Sequence, residues 1–415
     1  MKKYVLLCVA ATAALISTGS AAQTPETAAD RPQVDPSRAV AANKVQRKEF
    51  SDPGNEKARQ FAQERGISLG EATSQLRRQS ALAMFIERLK ARHPDKFSYV
   101  AARGDQIEVG LTDPSIDISS MLPPGLTSVR KVSAVYSEQG TYARLEELKG
   151  QLAAANLKDV SVGVDPKTGK VELLTKKSRA AVQQAIAAGT IKSDHGIEVI
   201  DDEIIPLGYL DAGKAYNVDD YYCTNYCGGT TGFSLIDYAG TGRYTSTAGH
   251  IDNNRARYNT SLTSTYSSGG TSLQRPTEMF TYRLDIQYAK PTSTGDTPMP
   301  YFWDGSTYVA VDNYTYPTQD VTFCKFGRIT KKTCGTHGAT TIYSNSTWNV
   351  TYLRRIVNPG TGSNFVQEGD SGGPVFYGTW ALGWIHGRNS SYDLYYTPVS
   401  DFKSVQQVVD LIVLQ

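Results

Sequence analysis

The 415-residue chain lacks an excess of charge of either sign. Its 43 Lys and Arg stand against 41 Asp and Glu, so no global basic field gathers nucleic acid or an anionic membrane surface. Long apolar runs are missing beyond the first twenty residues, and without about 18 consecutive apolar residues no spanning helix is expected. Histidine and cysteine are scarce, five of each, and none fall in CxxC or HExxH spacing. A zinc centre is therefore not expected, and no metal or cofactor is assigned. Apolar residues at 40% are enough for ordinary cores.

What the N-terminus does have is a three-part address. Met1-Lys2-Lys3 supplies positive charge, Tyr4 to Ile16 is apolar, and Ser20-Ala21-Ala22 offers small residues for cleavage. That layout reads as a secretory signal over 1–22, too short to span a bilayer, and it predicts an extracellular protein. Cys8 leaves with it. The remaining Cys223, Cys227, Cys324 and Cys334 form an even set, which after export reads as two disulfides.

Composition divides the rest. Residues 23–205 hold 51 charged residues in 183 positions, against 31 in 210 for residues 206–415. All four Trp and 21 of the 25 Tyr lie in the second part, so two bodies of different architecture are expected. The first is polar and flexible to about residue 50, then α+β. Helical spacing runs from Glu56 to Arg92 with an interruption at Gly66 and Gly70, and again from Thr141 to Asn156 and Lys177 to Ala188. Strand-like runs at 160–164 and 171–174 flank Asp165-Pro166-Lys167-Thr168-Gly169, a turn. His93 and His195 are isolated and read as ordinary surface histidines. The second part is a series of short β-rich runs broken by Gly, Asn, Asp and Pro, which predicts an all-β barrel or sandwich pair. Phe402, Val405, Val409 and Ile412 fall on one helical face, so a closing helix capped by Ser400 or Asp401 is expected.

Chemistry concentrates in three places. Gly369-Asp370-Ser371-Gly372-Gly373-Pro374 sets a serine among glycines that let the backbone turn tightly and aim successive N–H groups into one spot. A serine hydroxyl needs a base and fixed oxyanion donors to act as a nucleophile. Thr247-Ala248-Gly249-His250 ends a predicted strand, where an imidazole can be held. Leu284-Asp285-Ile286 places a carboxylate among apolar residues, where it needs a hydrogen-bonding or cationic partner.

The order His250, Asp285, Ser371 resembles the His-Asp-Ser order of chymotrypsin-like serine proteases. The chain is most similar to the exported bacterial branch, the streptogrisins and α-lytic-like proteases, over nearly its whole length. That resemblance implies two six-stranded antiparallel barrels over 206–415, preceded by a pro-region over 23–205. It implies His250, Asp285 and Ser371 as catalytic residues and the N–H groups of Gly369 and Ser371 as the oxyanion hole. It implies a Cys324–Cys334 bridge, and a buried Asp370 paired with Lys325 or Arg328. Cys223 and Cys227 are then left to each other. The substrate-pairing strand would be Gly383-Trp384-Ile385-His386-Gly387-Arg388, with Ile385, His386, Gly387 and Arg388 as substrate-binding residues.

There are departures. No cysteine follows His250, and His386 or Ile385 stands where the branch normally brings a serine beside the triad aspartate. If His386 or Arg388 faces the specificity pocket, an acidic P1 residue gains a partner. The reading is an exported, monomeric serine endopeptidase acting on polypeptides. It is made as a zymogen whose pro-region assists folding and inhibits, with a maturation cut between Ile200 and Tyr222. Two rivals stay open: a catalytically silent secreted binding protein on the same scaffold, and an esterase or peptidase of narrow specificity.

Overall fold

A computed structural model describes residues 39–41, 56–126, 128–206, 229–240, 242–250, 257–258, 271–274, 284–291, 298–304, 306–345, 350–405 and 409–414. The expected signal segment, most of the polar stretch to residue 50, Cys223, Cys227 and positions 207–222 of the expected processing window lie outside these residues.

The first part is α+β, as its periodicities predict. Helix α1 (Glu56–Arg65) stops at Gly66, whose φ of +63° suits a residue without a Cβ. Helix α2 (Leu69–Arg92) then starts from Ser68, whose hydroxyl accepts from the Glu71 N–H at 3.2 Å. Its Leu82, Phe85, Ile86 and Leu89 pack on a three-stranded sheet of Phe97–Arg103, Gln106–Leu111 and Val129–Ser133. Helix α3 (Glu138–Ala154) is capped by Ser137 and buries Leu145, Leu148 and Leu152. Those leucines share a core with the hairpin Ser161–Val164 and Val171–Leu174, reversed at 165–169 as expected. Helix α4 (Arg179–Ala187) follows.

The second part is mostly β. A seven-stranded sheet runs Ala39–Ala41, Val409–Leu414, Ser234–Asp237, Arg243–Thr247, Gln287–Pro291, Thr271–Gln274, Arg257–Tyr258. A twelve-stranded sheet holds Asn313–Tyr314, Trp380–Arg388, Pro374–Tyr377, Thr322–Gly327, Lys331–His337, Val350–Val357 and Ile342–Asn345. It continues without a break into the first part. Ser161–Val164 pairs antiparallel with Ile342–Asn345, and Ile205–Pro206 pairs antiparallel with Gly387 and Arg388.

The closing helix is shorter than expected. Helix α5 (Val399–Val405) ends within two turns, and Val409 and Ile412 belong to the strand Val409–Leu414. Val409, Leu411 and Val413, two positions apart, are buried as on one face of a strand. An open edge on Ser234–Asp237 also offers this apolar, β-branched run a full ladder, which overrides its helical spacing.

Cys324 and Cys334 face each other in the register of Thr322–Gly327 and Lys331–His337, and they form a disulfide.

Candidate active site

The two sheets each bring part of one buried cluster. Arg243–Thr247 is held between Ser234–Asp237 and Gln287–Pro291, and its C-terminal end delivers His250. Asp285 lies just ahead of Gln287–Pro291, whose Gln287 amide donates to the Ala248 carbonyl at 3.0 Å. Neighbouring strands of one sheet therefore fix the two side chains against each other. Leu284 and Ile286 anchor the aspartate by burying themselves, as the sequence pattern implies.

From the other sheet comes the loop 365–373. Gly372 N–H donates to the Ile385 carbonyl at 2.8 Å and Ile385 N–H to the Gly373 carbonyl at 3.0 Å, which ties the loop to Trp380–Arg388. Gly372 has φ of +83°, and a Cβ there would lie 2.2 Å from Thr247 Oγ1 and 2.5 Å from the Ala248 nitrogen. Only glycine lets the serine loop approach the histidine strand this closely.

Three side chains meet as a consequence. His250 Nε2 lies 2.9 Å from Ser371 Oγ, and His250 Nδ1 lies 2.5 Å from Asp285 Oδ2. The His250 N–H also donates to Asp285 Oδ1 at 2.7 Å. His250, Asp285 and Ser371 are 5%, 2% and 0% exposed. Burial alone would raise the Asp285 pKa, but the His250 and His386 imidazoles outweigh it and hold the carboxyl well below the usual range.

Below the serine, Asp370 is buried and receives Lys325 Nζ at 3.0 Å, with the Ile329 and Thr330 N–H groups on its other oxygen. The partner is Lys325; Arg328 instead gives its backbone N–H to Thr230 Oγ1. Thr230 and Thr330 also support this loop. Thr230 donates its hydroxyl to the Gly369 carbonyl at 2.8 Å and its N–H to the Ser371 carbonyl at 2.7 Å. With both carbonyls turned to Thr230, the Gly369 and Ser371 N–H groups meet no acceptor among the described residues. No sequence signal marks Thr230, because a lone threonine in a loop has no pattern.

Of the residues read as substrate-binding, Ile385 and Gly387 contribute backbone. His386 does not face a specificity pocket: its buried ring turns to Asp285, with Nδ1 2.6 Å from Oδ2. Arg388 lies 4.5 Å over the Tyr392 ring and donates to the Asn389 carbonyl. Neither arrangement supports a preference for acidic P1 residues. His93 ends α2, and His195 is exposed.

The ligand atoms of His250, Asp285 and His386 fall within 4.8 Å of one another, as a metal set would. Yet both imidazole nitrogens already stand at hydrogen-bonding distance from one carboxylate oxygen. Zinc bonds of about 2.0–2.2 Å to all three atoms would require them further apart. The spacing suits shared protons.

A serine held by an imidazole, itself held by a buried carboxylate, is an arrangement that can serve nucleophilic acyl transfer. No family model matches the chain, and no curated protein matches it. Among solved structures it is similar to chymotrypsin-like bacterial serine proteases. Thermobifida fusca protease A is 21% identical with a TM-score of 0.34, over 45% of this chain and 92% of that one. The Nocardiopsis protease is 20% identical at 0.33, over 44% and 97%, and Cellulomonas bogoriensis chymotrypsin is 18% identical at 0.30, over 44% and 90%.

Proposed function

We propose that the chain is a secreted serine endopeptidase made as a zymogen, with catalysis in residues 206–415. The observation that carries this reading is the chain of contacts from Asp285 through His250 to Ser371, at 2.5 and 2.9 Å. Ser371 Oγ attacks the scissile carbonyl while His250 Nε2 takes its proton. The tetrahedral oxyanion is received by the N–H groups of Gly369 and Ser371. His250 then protonates the leaving amine, and the acyl-enzyme is hydrolysed by water activated in the same way. Asp285 keeps the Nδ1–H tautomer and stabilises the imidazolium. On this reading the two six-stranded barrels would be drawn from the seven- and twelve-stranded sheets, which also hold strands of the first part.

The pro-region role is supported by occupancy. Ile205–Pro206 lies along Gly387 and Arg388, the strand on which a substrate would pair, while Ser371 is fully buried. A segment already seated there excludes other polypeptides until it is cut. The expected cut therefore moves beyond Pro206, into 207–222. The signal read at 1–22 is what assigns export.

Two measurements test the proposal. An organophosphate should label Ser371 of the processed protein, and casein should be cleaved internally. A protein that is never labelled is a binder on this scaffold; one that is labelled but leaves casein intact is an esterase or a narrow peptidase.

A further inference from the structure

Asp285 Oδ2 receives two imidazoles at nearly equal distance, His250 Nδ1 at 2.5 Å and His386 Nδ1 at 2.6 Å. We propose that His386 is a positioning residue: as a neutral imidazole it donates its Nδ1 proton to Asp285 and holds the carboxylate from a second side. This rests on the acyl-transfer reading of Ser371, His250 and Asp285.

The tautomer follows from contact. A nitrogen lone pair facing a carboxylate at 2.6 Å would be repelled, so a proton lies between them. On the far side of the ring, Nε2 lies 3.5 Å from Asn345 Nδ2, an amide that also donates to the Ile204 carbonyl at 3.0 Å. An amide N–H beside Nε2 favours a lone pair there. Both contacts put the single proton on Nδ1.

The charge state follows from place. His386 is fully buried, and the ionisable groups facing it are Asp285 and His250. Burial pushes its pKa down and His250 adds to this, against the opposing pull of Asp285. A neutral ring matters here, because one carboxylate charge cannot serve two imidazolium ions. A cation at position 386 would pair with Asp285 and compete with the imidazolium that His250 must become.

The backbone makes the position rigid. Ile385 is bonded to Gly372 and Gly373, and the His386 carbonyl lies 3.1 Å from Ser371 Oγ. One residue thus touches the serine with its main chain and the aspartate with its side chain. A serine at this position would offer one hydroxyl; the imidazole offers a fixed planar donor with a second anchor at Asn345.

The test compares donors of matched polarity in the protein expressed full-length and then processed. In His386→Asn the amide nitrogen stands where Nδ1 was; in His386→Gln it stands nearer the place of Nε2. The expected result is that His386→Asn keeps kcat for a small peptide ester within about threefold, while His386→Gln and His386→Leu lose about tenfold to hundredfold at unchanged KM. The acid limb of kcat/KM should move to higher pH in His386→Gln and His386→Leu, because a carboxylate freed of one donor pulls harder on the His250 proton. Proton NMR gives a readout independent of turnover: two strongly deshielded imidazole N–H signals in the wild type, and one in His386→Gln. Equal rates for His386→Asn and His386→Gln with an unmoved acid limb, or a single deshielded signal in the wild type, would overturn the proposal. A wild type inert to substrate and organophosphate would instead refute the acyl-transfer reading, and the NMR signals would still report the His386–Asp285 bond.

Discussion

Lys325 and Asp370 meet at 3.0 Å with both side chains sealed from solvent, directly beside Ser371, the proposed nucleophile. Burial pushes the Lys325 pKa down, and the Asp370 carboxylate opposes this. Removing one leaves an uncompensated buried charge. Lys325→Met should therefore lower stability by about 3–5 kcal/mol and release the loop that aims the Gly369 and Ser371 N–H groups. Urea unfolding measures the first effect and kcat the second. A loss below about 1 kcal/mol, the worth of a surface pair, would contradict this.

Self-processing should depend on the same side chains as hydrolysis. Ser371→Ala loses about a millionfold in rate, which leaves no cutting on a culture timescale. The variant should accumulate as one long chain, whereas the wild type yields a fragment near the mass of 206–415. His250→Ala should match it. N-terminal sequencing of the wild-type fragment should find its start within 207–222. Normal cutting of Ser371→Ala in a protease-deficient host would exclude self-processing.

The Cys324–Cys334 bridge closes a loop of separation 10, for which chain entropy gives a contribution of about 2–3 kcal/mol. Replacing both cysteines by serine should lower the unfolding free energy by that order without abolishing activity. Non-reducing peptide mapping should also find Cys223 joined to Cys227. A link from either to Cys324 or Cys334 would refute both pairings.

Between the two parts, Arg354 is buried against Asp401 at 3.4 Å and against Glu138 of the first part at 3.6 Å, with the Tyr142 hydroxyl at 3.2 Å. Truncating one member of such a set costs about 2–5 kcal/mol at an interface. Supplied in trans, residues 23–205 carrying Glu138→Ala should inhibit the processed enzyme at least about tenfold less tightly than the unaltered segment. Equal inhibition constants would show that this cluster does not hold the parts together.

Acid should loosen the first part through Glu108. Burial works against its charge, but Lys167 at 2.8 Å, the Tyr99 hydroxyl at 2.7 Å and Arg130 prevail and bring its pKa down from 4.5 to about 2. A carboxyl whose pKa is lowered on folding contributes stability above its unfolded value and loses it as pH falls towards the folded value. Thermal unfolding of the Ser371→Ala chain should therefore weaken between about pH 4.5 and 2, with a shallower slope in Glu108→Gln. Identical slopes would remove Glu108 from the cause.

Much of this architecture could be read from residue order because the signals were local. Helices α2 and α3 show leucines at helical spacing, and the 165–169 turn shows its Pro and Gly. The serine, histidine and aspartate each sat in a recognisable setting. What escaped was set by distant partners. Val409–Leu414 reads as helix until Ser234–Asp237 offers it a ladder. His386 reads either as the neighbour of Asp285 or as a pocket residue until the 2.6 Å contact decides between them. Thr230 and Asn345 carry no pattern at all, since each matters through partners distant in sequence: Gly369 for Thr230, and Ile204 and His386 for Asn345.

The pairing of Ser161–Val164 with Ile342–Asn345 means that the first part is a piece of the second part's sheet. Wherever the chain is cut and the first part leaves, four residues lose a neighbour along their length, and buried Ile342 and Tyr343 lose cover with them. The departing segment leaves behind an open β-edge, the kind of surface on which chains stick to one another. On the proposed zymogen reading, the cut would thus trade an occupied cleft for an exposed sheet edge.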